Sequence, residues 1–436
     1  MKHLRKFDSV SEMNTALASA TINILALAYD GQGNPVLKTK QAPDPSIPFY
    51  IDVRGSVTLA ATSGLQMSTD KTNWTDTTAT TLSTGKTYFR VATNKGWLLQ
   101  PNWNENNSSD YDIGGNINSL ASIDFKNDTN GYSSYGFFQY KTKLKSAGDL
   151  ILPGIRLEDE CYKEMFSGCT SLTTAPALPA TNLVTQCYGE MFSGCSSLTT
   201  APTLPATTLA SGCYYSMFSG CESLTAAPAL PATTLANDCY AGMFYGCSSL
   251  TTAPTLPATT LASGCYGDMF VGCTSLTTAP VLPATTLVGG CYFDMFKDCT
   301  SLTTAPALPA TTLAQSCYNS LFDGCTALTT APALPATTLA QSCYENMFIN
   351  CTSLVTAPEL QAITLAPYCY KNMFNGCTNL NYIKCLATDI SASYCLITWV
   401  DGVAATGTFV KDPNMSSWTT GTNGIPEGWT VQDATA

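Results

Sequence analysis

The segment Cys213–Asp238 reads CYYSMFSGCESLTAAPALPATTLAND, and Cys239 begins a nearly identical copy. The leading cysteine recurs every 26 residues, at positions 161, 187, 213, 239, 265, 291, 317, 343 and 369, and an imperfect further copy opens at Cys395. A fixed period of about 20 to 50 residues is typical of proteins in which each copy is one coil that cannot bury its apolar face alone. The period therefore predicts a solenoid over residues 161–395.

One position in each copy indicates where the chain changes direction. Seven residues after the leading cysteine the chain carries only Gly, Asp or Asn, for example Gly194, Asp298 and Asn350. These residue types tolerate a positive φ, which is typical of the left-handed residue that ends a helix. Upstream, Leu183, Cys187 and Met191 follow the i, i+4, i+8 spacing of an apolar helix face. We therefore predict one helix per copy, ending at this position.

A short strand is predicted after the glycine. Residues 195–201 are followed by Pro202, which has no N–H for a neighbouring strand. Period-two alternation points Leu198 and Thr200 inward and Thr199 outward. Stacked copies would then form a parallel sheet with an outward row of hydroxyl groups, a candidate binding face. The row consists of Thr173, Thr199, Thr225, Thr251, Thr277, Thr303 and Thr329.

The repeat motif has a family resemblance. Met191-Phe192-Ser-Gly-Cys195-Ser-Ser-Leu198 resembles a leucine-rich repeat of the BspA type in the order of its aromatic residue, cysteine and leucine. The Cys-Tyr-x-x-Met-Phe-x-Gly-Cys and Leu-Pro-Ala-Thr-Thr-Leu-Ala blocks resemble more closely a set of 26-residue-repeat proteins of gut Bacteroides and their crAss-like phages. The resemblance covers about half the chain and implies a surface interaction protein without catalytic residues. The predicted fold class is an α+β solenoid, a right-handed leucine-rich-repeat-like coil with a short parallel strand and a helix per repeat.

The chain before the repeats predicts a small β-rich region. A helix over about residues 10–20 and a hairpin with strands at 21–29 and 36–40 form an N-terminal segment, 1–45, which in the resembling phage proteins looks like an attachment piece. An ordinary helix and hairpin packed on the next domain is the alternative. The proline-rich stretch 41–48 is a linker. Several short strands over 46–100 predict a β-sandwich-like module.

Two caps are predicted at the ends of the repeats. Residues 101–160 are interpreted as an N-terminal cap that covers the edge of the first coil of the 161–395 solenoid. Residues 396–436 are interpreted as a C-terminal cap, because the repeat decays after Cys377 and large aromatic residues replace it. The residues predicted to seal the last coil are Trp399, Phe409, Trp418 and Trp429.

The composition of the chain argues against some classes of binding partner. The formal net charge of −11 and only 12% charged residues argue against nucleic acid, whose phosphates need clustered Lys and Arg. No apolar stretch reaches the 18 or so residues of a membrane helix. Residues 1–6 are basic, but Asp8, Ser9 and Glu12 interrupt the place where the apolar core of a signal peptide should begin, so a cleaved signal is not expected.

The cysteine pattern favours buried thiols. Two cysteines eight residues apart on a helix lie about 12 Å apart, whereas a disulfide spans at most about 7 Å. The chain has no C-x-x-C pair, and its only histidine is His3, so neither zinc nor another metal or cofactor is predicted. For the same reason no Cys-His or Ser-His catalytic pair exists in the repeats. A non-enzymatic protein is predicted, and a polysaccharide-degrading enzyme is the third hypothesis.

Variation between copies suggests a second candidate binding surface. It concentrates at the two residues before Cys-Tyr, the two after, and the residue after Met-Phe, which includes Tyr245, Lys297 and Asp323. Free drift of solvent-facing positions is the alternative. We hypothesise a virion-associated fibre or adhesin on the virion surface. Its N-terminal segment would contact other virion proteins, its solenoid would bind a host-surface glycan or protein, and a homotrimer is one expected state. The alternative is a secreted or cell-surface bacterial adhesin.

Overall fold

The structure is a computed structural model that describes residues 4–6, 24–29, 35–40, 47–60, 62–92, 108–120, 134–152, 154 and 157–435. The chain divides into two compact units. One comprises Met1–Gly131 and Lys143–Gly154, and the other comprises Tyr132–Thr142 and Ile155–Ala436.

The first unit begins with a three-stranded sheet in the order β1-β2-β3. Strand β1 (Leu4–Lys6) pairs parallel with β2 (Ile24–Tyr29), and β2 pairs antiparallel with β3 (Pro35–Lys40). The predicted N-terminal hairpin is therefore confirmed. The helix predicted over residues 10–20 lies outside the described residues.

A second sheet of the first unit contains six strands in the order β6-β5-β7-β4-β8-β9. The described strands thus lie in one sheet and not in the two sheets that the predicted sandwich requires. A 3-10 helix, Ile117–Leu120, follows β8, and its Ser119 hydroxyl accepts from the N–H of Phe49 and donates to the carbonyl of Phe89. The strands are β4 (Phe49–Leu59), β5 (Leu65–Ser68), β6 (Thr75–Asp76), β7 (Thr80–Val91), β8 (Tyr111–Asn116) and β9 (Leu144–Ile151).

Strands β8 and β9 come from the region predicted as the N-terminal cap. They pair parallel with each other, whereas the other neighbours in this sheet pair antiparallel. In β4, Phe49, Ile51 and Val53 share one face and are at most 1% exposed, whereas the opposite face is covered less completely, with Tyr50 8% exposed and Asp52 half-buried.

The repeats contain consecutive turns in place of the predicted helix. In the copy that begins at Cys213, the N–H groups of alternate residues donate to the carbonyl three residues back, as Tyr215 does to Gly212. The intervening N–H groups donate to the next repeat, as Tyr214 does to Cys239 and Phe218 to Met243. An α-helix would have used all of these donors inside its own segment. The prediction of one helix per repeat is therefore wrong among the described residues.

The turn segment has its own period of four residues. In the Cys213 copy, Gly212, Ser216 and Gly220 all have a positive φ, between 47° and 69°. The left-handed residue predicted seven positions after the cysteine is thus confirmed, but it ends a turn and not a helix. A period of four places Leu183, Cys187 and Met191 at i, i+4 and i+8 just as a helix does, which explains the misinterpretation.

The predicted parallel strand is reduced to single-residue bridges in most described repeats. Thr304 bridges to Thr330, which bridges in turn to Thr356. Thr199 is exposed as predicted, but Thr200 is exposed as well, so strict alternation fails. In the copies that begin at Cys161 through Cys317, two prolines per copy lack an N–H, which prevents a longer ladder.

Among the described residues of the second unit, strands with regular parallel pairing lie near its end. There β10 (Tyr382–Cys385), β11 (Thr408–Lys411) and β12 (Thr430–Asp433) form a parallel sheet in that order.

Aromatic rings form two stacks through the core of the repeats. Tyr188 lies on Tyr214 with ring centroids 5.9 Å apart, and Phe192 lies on Phe218 at 5.7 Å, with interplanar angles of 6° and 4°. Equivalent rings of the other copies continue both stacks. The repeats therefore stack in register, with identical side chains in contact.

The cysteines are buried free thiols, which confirms their predicted place in the core. The second cysteine of each full copy donates to the carbonyl of the phenylalanine in the preceding repeat, as Cys247 Sγ does to Phe218 O at 3.1 Å. Burial raises the pKa of the Cys247 thiol to about 12, so the thiol keeps its proton and remains a donor. The helical geometry used to exclude disulfides is absent. The second cysteine of a copy has a defined role as a hydrogen-bond donor to the preceding copy.

Both ends of the stack carry modified copies of the turn. Residues 134–140 repeat the turn pattern without the cysteine motif, and Phe138 stacks on Phe166 at 5.5 Å. At the other end Trp399 is fully buried, stacks on Trp418 at 6.0 Å and contacts Phe409 edge to face. The predicted sealing contacts of these aromatic residues are thus present.

Candidate functional site

Two surfaces of the repeats were predicted as binding faces. The threonine face carries the predicted hydroxyl row, and every member is exposed: Thr173, Thr199, Thr225, Thr251, Thr277, Thr303 and Thr329. A hydroxyl of this row can donate to the backbone carbonyl of the threonine in the preceding copy, as Thr251 Oγ1 donates to the Thr225 carbonyl at 3.2 Å. This face is nearly uniform from copy to copy.

The turn face is the surface formed by residues 211–220 and the equivalent residues of the other copies. Among the variable residues predicted there, Tyr245 is 49% exposed. Lys297 Nζ lies 3.4 Å from Asp323 Oδ2 in the next repeat and 3.8 Å from Asp294 Oδ2. The structure therefore joins Lys297 and Asp323 in one ion-pair cluster. Tyr245 lies two repeats earlier in the same row.

A groove of about 450 Å³ lies on the turn face. Its two walls are Tyr215 and Phe293, whose side chains are 42% and 36% exposed. Both residues occupy the second position after the leading cysteine, three repeats apart. At the roughly 4.8 Å spacing of hydrogen-bonded backbone segments, the walls stand about 15 Å apart along the stack. Two exposed aromatic rings therefore lie at opposite ends of the groove.

Small residues make the floor of the groove. Ala241 and Gly267 occupy the same position in the two intervening repeats, where the walls carry aromatic rings. Gly264 and Gly290 lie beside them at the position before the leading cysteine, and a Cβ added to Gly290 would meet nothing within 4 Å. The groove therefore exists because two consecutive copies lack the large side chains of their neighbours.

The backbone N–H groups of the floor are already used. Gly264 donates to Gly289 O at 3.1 Å, Gly267 donates to Gly264 O at 3.0 Å, and Gly290 donates to Gln315 O at 3.1 Å. A ligand consequently meets side chains and carbonyl oxygens on the floor, and no unpaired backbone donor at these three glycines.

Carboxylates supply the polar character of the groove. Asp238 leans over Gly264, so that a Cβ added there would collide with Asp238 Oδ1. Burial raises the pKa of the Asp268 carboxyl, and the positive charge of Lys297 acts in the opposite direction. Ser263 Oγ donates to Gly289 O at 3.2 Å. The groove thus combines apolar walls with hydrogen-bond acceptors near its centre.

The sequence contains a pattern that indicates this groove, but the binding residues predicted from the sequence were chosen at other positions. The positions after Cys-Tyr were recognised as variable, but Tyr245, Lys297 and Asp323 belong to another row, and none of them lines the groove. The alternation of large and small residues down one position, from Tyr215 through Ala241 and Gly267 to Phe293, would have located it.

Among the described residues there is no group of three or more His, Cys, Asp or Glu side chains that could hold a metal ion. Within the same ranges, no helix has the length and apolar character needed to cross a membrane.

Comparison with known proteins gives one match. A family model described as BspA type Leucine rich repeat region matches in six copies, over residues 115–225, 159–303 and 291–395. Neither the search of curated proteins nor the search of solved structures found a match.

Proposed function

Because the chain belongs to the BspA-type leucine-rich repeat family, we propose that it is a surface or adhesion-type protein that binds its target through the turn face. The observation that carries the proposal is the contrast between a constant core and a varied surface. The stacked tyrosine and phenylalanine rings repeat almost without change, whereas one position of the turn face runs through Tyr215, Ala241, Gly267 and Phe293. The two aromatic residues at this position are exposed, and the two small residues between them are buried, so the variation changes the shape of the surface as is expected of a recognition surface.

We further propose that the repeats coil as a right-handed solenoid that holds the turn face rigid. Five backbone hydrogen bonds of 2.7–3.0 Å join the Cys213 copy to the next copy through its turn segment. Each added repeat extends the same interface, which is the principle of solenoid stability. A rigid face reduces the entropy lost on binding.

The proposed role is binding without catalysis. The repeats contain no histidine, and the second cysteine of a copy donates its thiol hydrogen to a backbone carbonyl, as Cys247 does to Phe218. The carboxylates of the turn face sit beside apolar rings, an arrangement suited to holding a ligand.

The proposed setting is a phage particle, with the N-terminal segment, residues 1–45, bound to other virion proteins and the repeats displayed as a fibre, in a homotrimer. The support is the resemblance of the 26-residue motif to repeat proteins of Bacteroides phages. The alternative setting is a secreted or cell-surface bacterial adhesin. Mass spectrometry of purified particles and of bacterial surface fractions separates the two settings by where the repeat peptides are found.

Adhesion itself is tested with the purified full chain on bacterial and epithelial cells. We expect binding that falls for the turn-face double variant Tyr215→Ser/Phe293→Ser and persists for the threonine-face control Thr225→Ala/Thr277→Ala. Both pairs change exposed side chains, so circular dichroism should be unaltered. Loss of binding in the control alone would assign adhesion to the threonine face. Failure of the intact chain to bind any cell would refute the adhesion role.

A further inference from the structure

We infer that the groove between Tyr215 and Phe293 is a binding site for a short, uncharged oligosaccharide. This inference rests on the proposed adhesion role and names the ligand class of the turn face. The groove volume of about 450 Å³ falls within the roughly 300–1,000 Å³ of small-ligand sites.

The walls fit the apolar faces of sugar rings. Tyr215 and Phe293 expose ring surface to solvent at both ends of the groove. Aromatic rings carry a negative face that attracts C–H groups, and the axial C–H groups of a pyranose present such a surface. Two platforms about 15 Å apart hold the two ends of an extended chain of sugar units.

The centre of the groove fits hydroxyl groups. Asp238 and Asp268 are acceptors, and a sugar hydroxyl donates to a carboxylate while still accepting from water or a neighbour. A peptide would bring a carbonyl acceptor for every N–H donor. The N–H groups of Gly264, Gly267 and Gly290 are all engaged, so peptide carbonyls laid on this floor would find no backbone donor at the three glycines and would depend on the side chains of Gln315 and Ser316. The floor therefore favours a ligand rich in hydroxyl donors over a peptide strand.

Charge selects against acidic glycans. The groove lining among the described residues includes two aspartates and no Lys or Arg. Lys297, whose charge acts on the Asp268 carboxyl, is held by ion pairs with Asp294 and Asp323. The chain as a whole carries a formal charge of −11. Sialic acids, uronic acids and sulfated sugars would meet repulsion, so the ligand is a neutral saccharide.

The test is a glycan array probed with the full chain, followed by calorimetric titration of the strongest neutral oligosaccharide. Mannotriose, chitotriose and xylotriose are the neutral probes, and trigalacturonic acid is the acidic probe. We expect binding of at least one neutral probe and none of the acidic one. Absence of binding by every neutral glycan on the array, or preference for acidic glycans, overturns the inference.

A matched pair of variants locates the site. Gly267→Tyr places a ring on the floor, where the added Cβ comes no closer than 3.4 Å to another atom. Gly189→Tyr makes the same change at the same repeat position outside the groove lining, with a nearest contact of 3.3 Å. We expect Gly267→Tyr to weaken glycan binding at least 100-fold and Gly189→Tyr to change it less than threefold. Equal effects would place the ligand elsewhere.

A third variant tests the acceptor role. Asp268→Asn keeps the shape of the groove and removes a charged hydrogen-bond acceptor, so about tenfold weaker binding is expected. Unchanged affinity together with loss in Gly267→Tyr would contradict the assignment of Asp268 as a sugar ligand.

The outcomes for adhesion and for the ligand class are separable. Periodate treatment of the target cells destroys sugars, and protease treatment destroys protein receptors. Adhesion that survives periodate but not protease would leave the adhesion role standing and overturn the saccharide inference. Glycan binding by a chain that adheres to no cell would support the saccharide inference and refute the adhesion role.

Discussion

Alanine substitutions at the adjacent residues Gly289 and Gly290 allow the cost of backbone strain to be measured apart from the cost of side-chain crowding. Gly290 has a φ of +59°, whereas Gly289 lies outside the left-handed region. A Cβ added at Gly290 meets nothing within 4 Å, and one added at Gly289 has neighbours at 3.9 and 4.0 Å, so neither alanine collides. Both alanines restrict the unfolded chain equally, which stabilises the native state by about 0.4–1 kcal/mol. Strain at positive φ costs about 1–2 kcal/mol and applies only to position 290.

The free energy of unfolding of Gly290→Ala should therefore fall below that of Gly289→Ala by about 1–2 kcal/mol, since the unfolded-state contribution cancels. Urea unfolding of the full chain measures the difference from the two midpoints, provided the slopes agree. Gly290→Asn is the matched control and should recover part of the loss, because Asn346 and Asn350 occupy positive φ in other repeats. Equal midpoints for the two alanine variants would refute the left-handed turn.

Three further predictions concern the core and the groove. Replacing Phe244, buried in the ring stack, with alanine should cost about 3–5 kcal/mol in urea unfolding, whereas Tyr245→Ala should change stability by less than about 0.5 kcal/mol; similar losses would contradict the stacked core. Burial raises the pKa of Asp268, so its contribution to stability is full below the unfolded pKa and declines as pH rises through the folded pKa. Between pH 4 and pH 7 the melting temperature of Asp268→Asn should therefore fall less than that of the parent chain. An equal fall in the two proteins would contradict the burial of the Asp268 carboxyl. Cys395, 4% exposed while the other cysteines are 0% exposed, should be alkylated first in the native chain, and mass spectrometry showing earlier reaction elsewhere would disprove the enclosed thiol rows.

The sequence predicted the core better than the backbone. Regular spacing identified Cys187, Met191 and Leu198 as interior residues, and all three are fully buried. The same spacing suggested a helix, because every fourth residue of the turn segment returns to the same side. The distinguishing observation is the use of alternate N–H groups, such as those of Tyr214 and Tyr215, for different partners, and no residue type specifies that choice.

The candidate site shows a similar division. Sequence comparison between copies recognised the positions after Cys-Tyr as variable, and it placed the threonine row on the surface. The groove depends on which variable residues are neighbours across repeats and on the hydrogen bonds already made by Gly264 and Gly290. A list of variable positions does not contain these distances.

The amino-acid sequence by itself determined the 26-residue period, the buried residues and the left-handed position at Gly194 and its equivalents, since each follows from residue type at a fixed place in the repeat. Only the tertiary structure decided that turns replace helices and that Ala241 and Gly267 open a groove between Tyr215 and Phe293. The physical reason is that backbone hydrogen bonds and surface cavities arise between repeats, where residues 26 positions apart become neighbours.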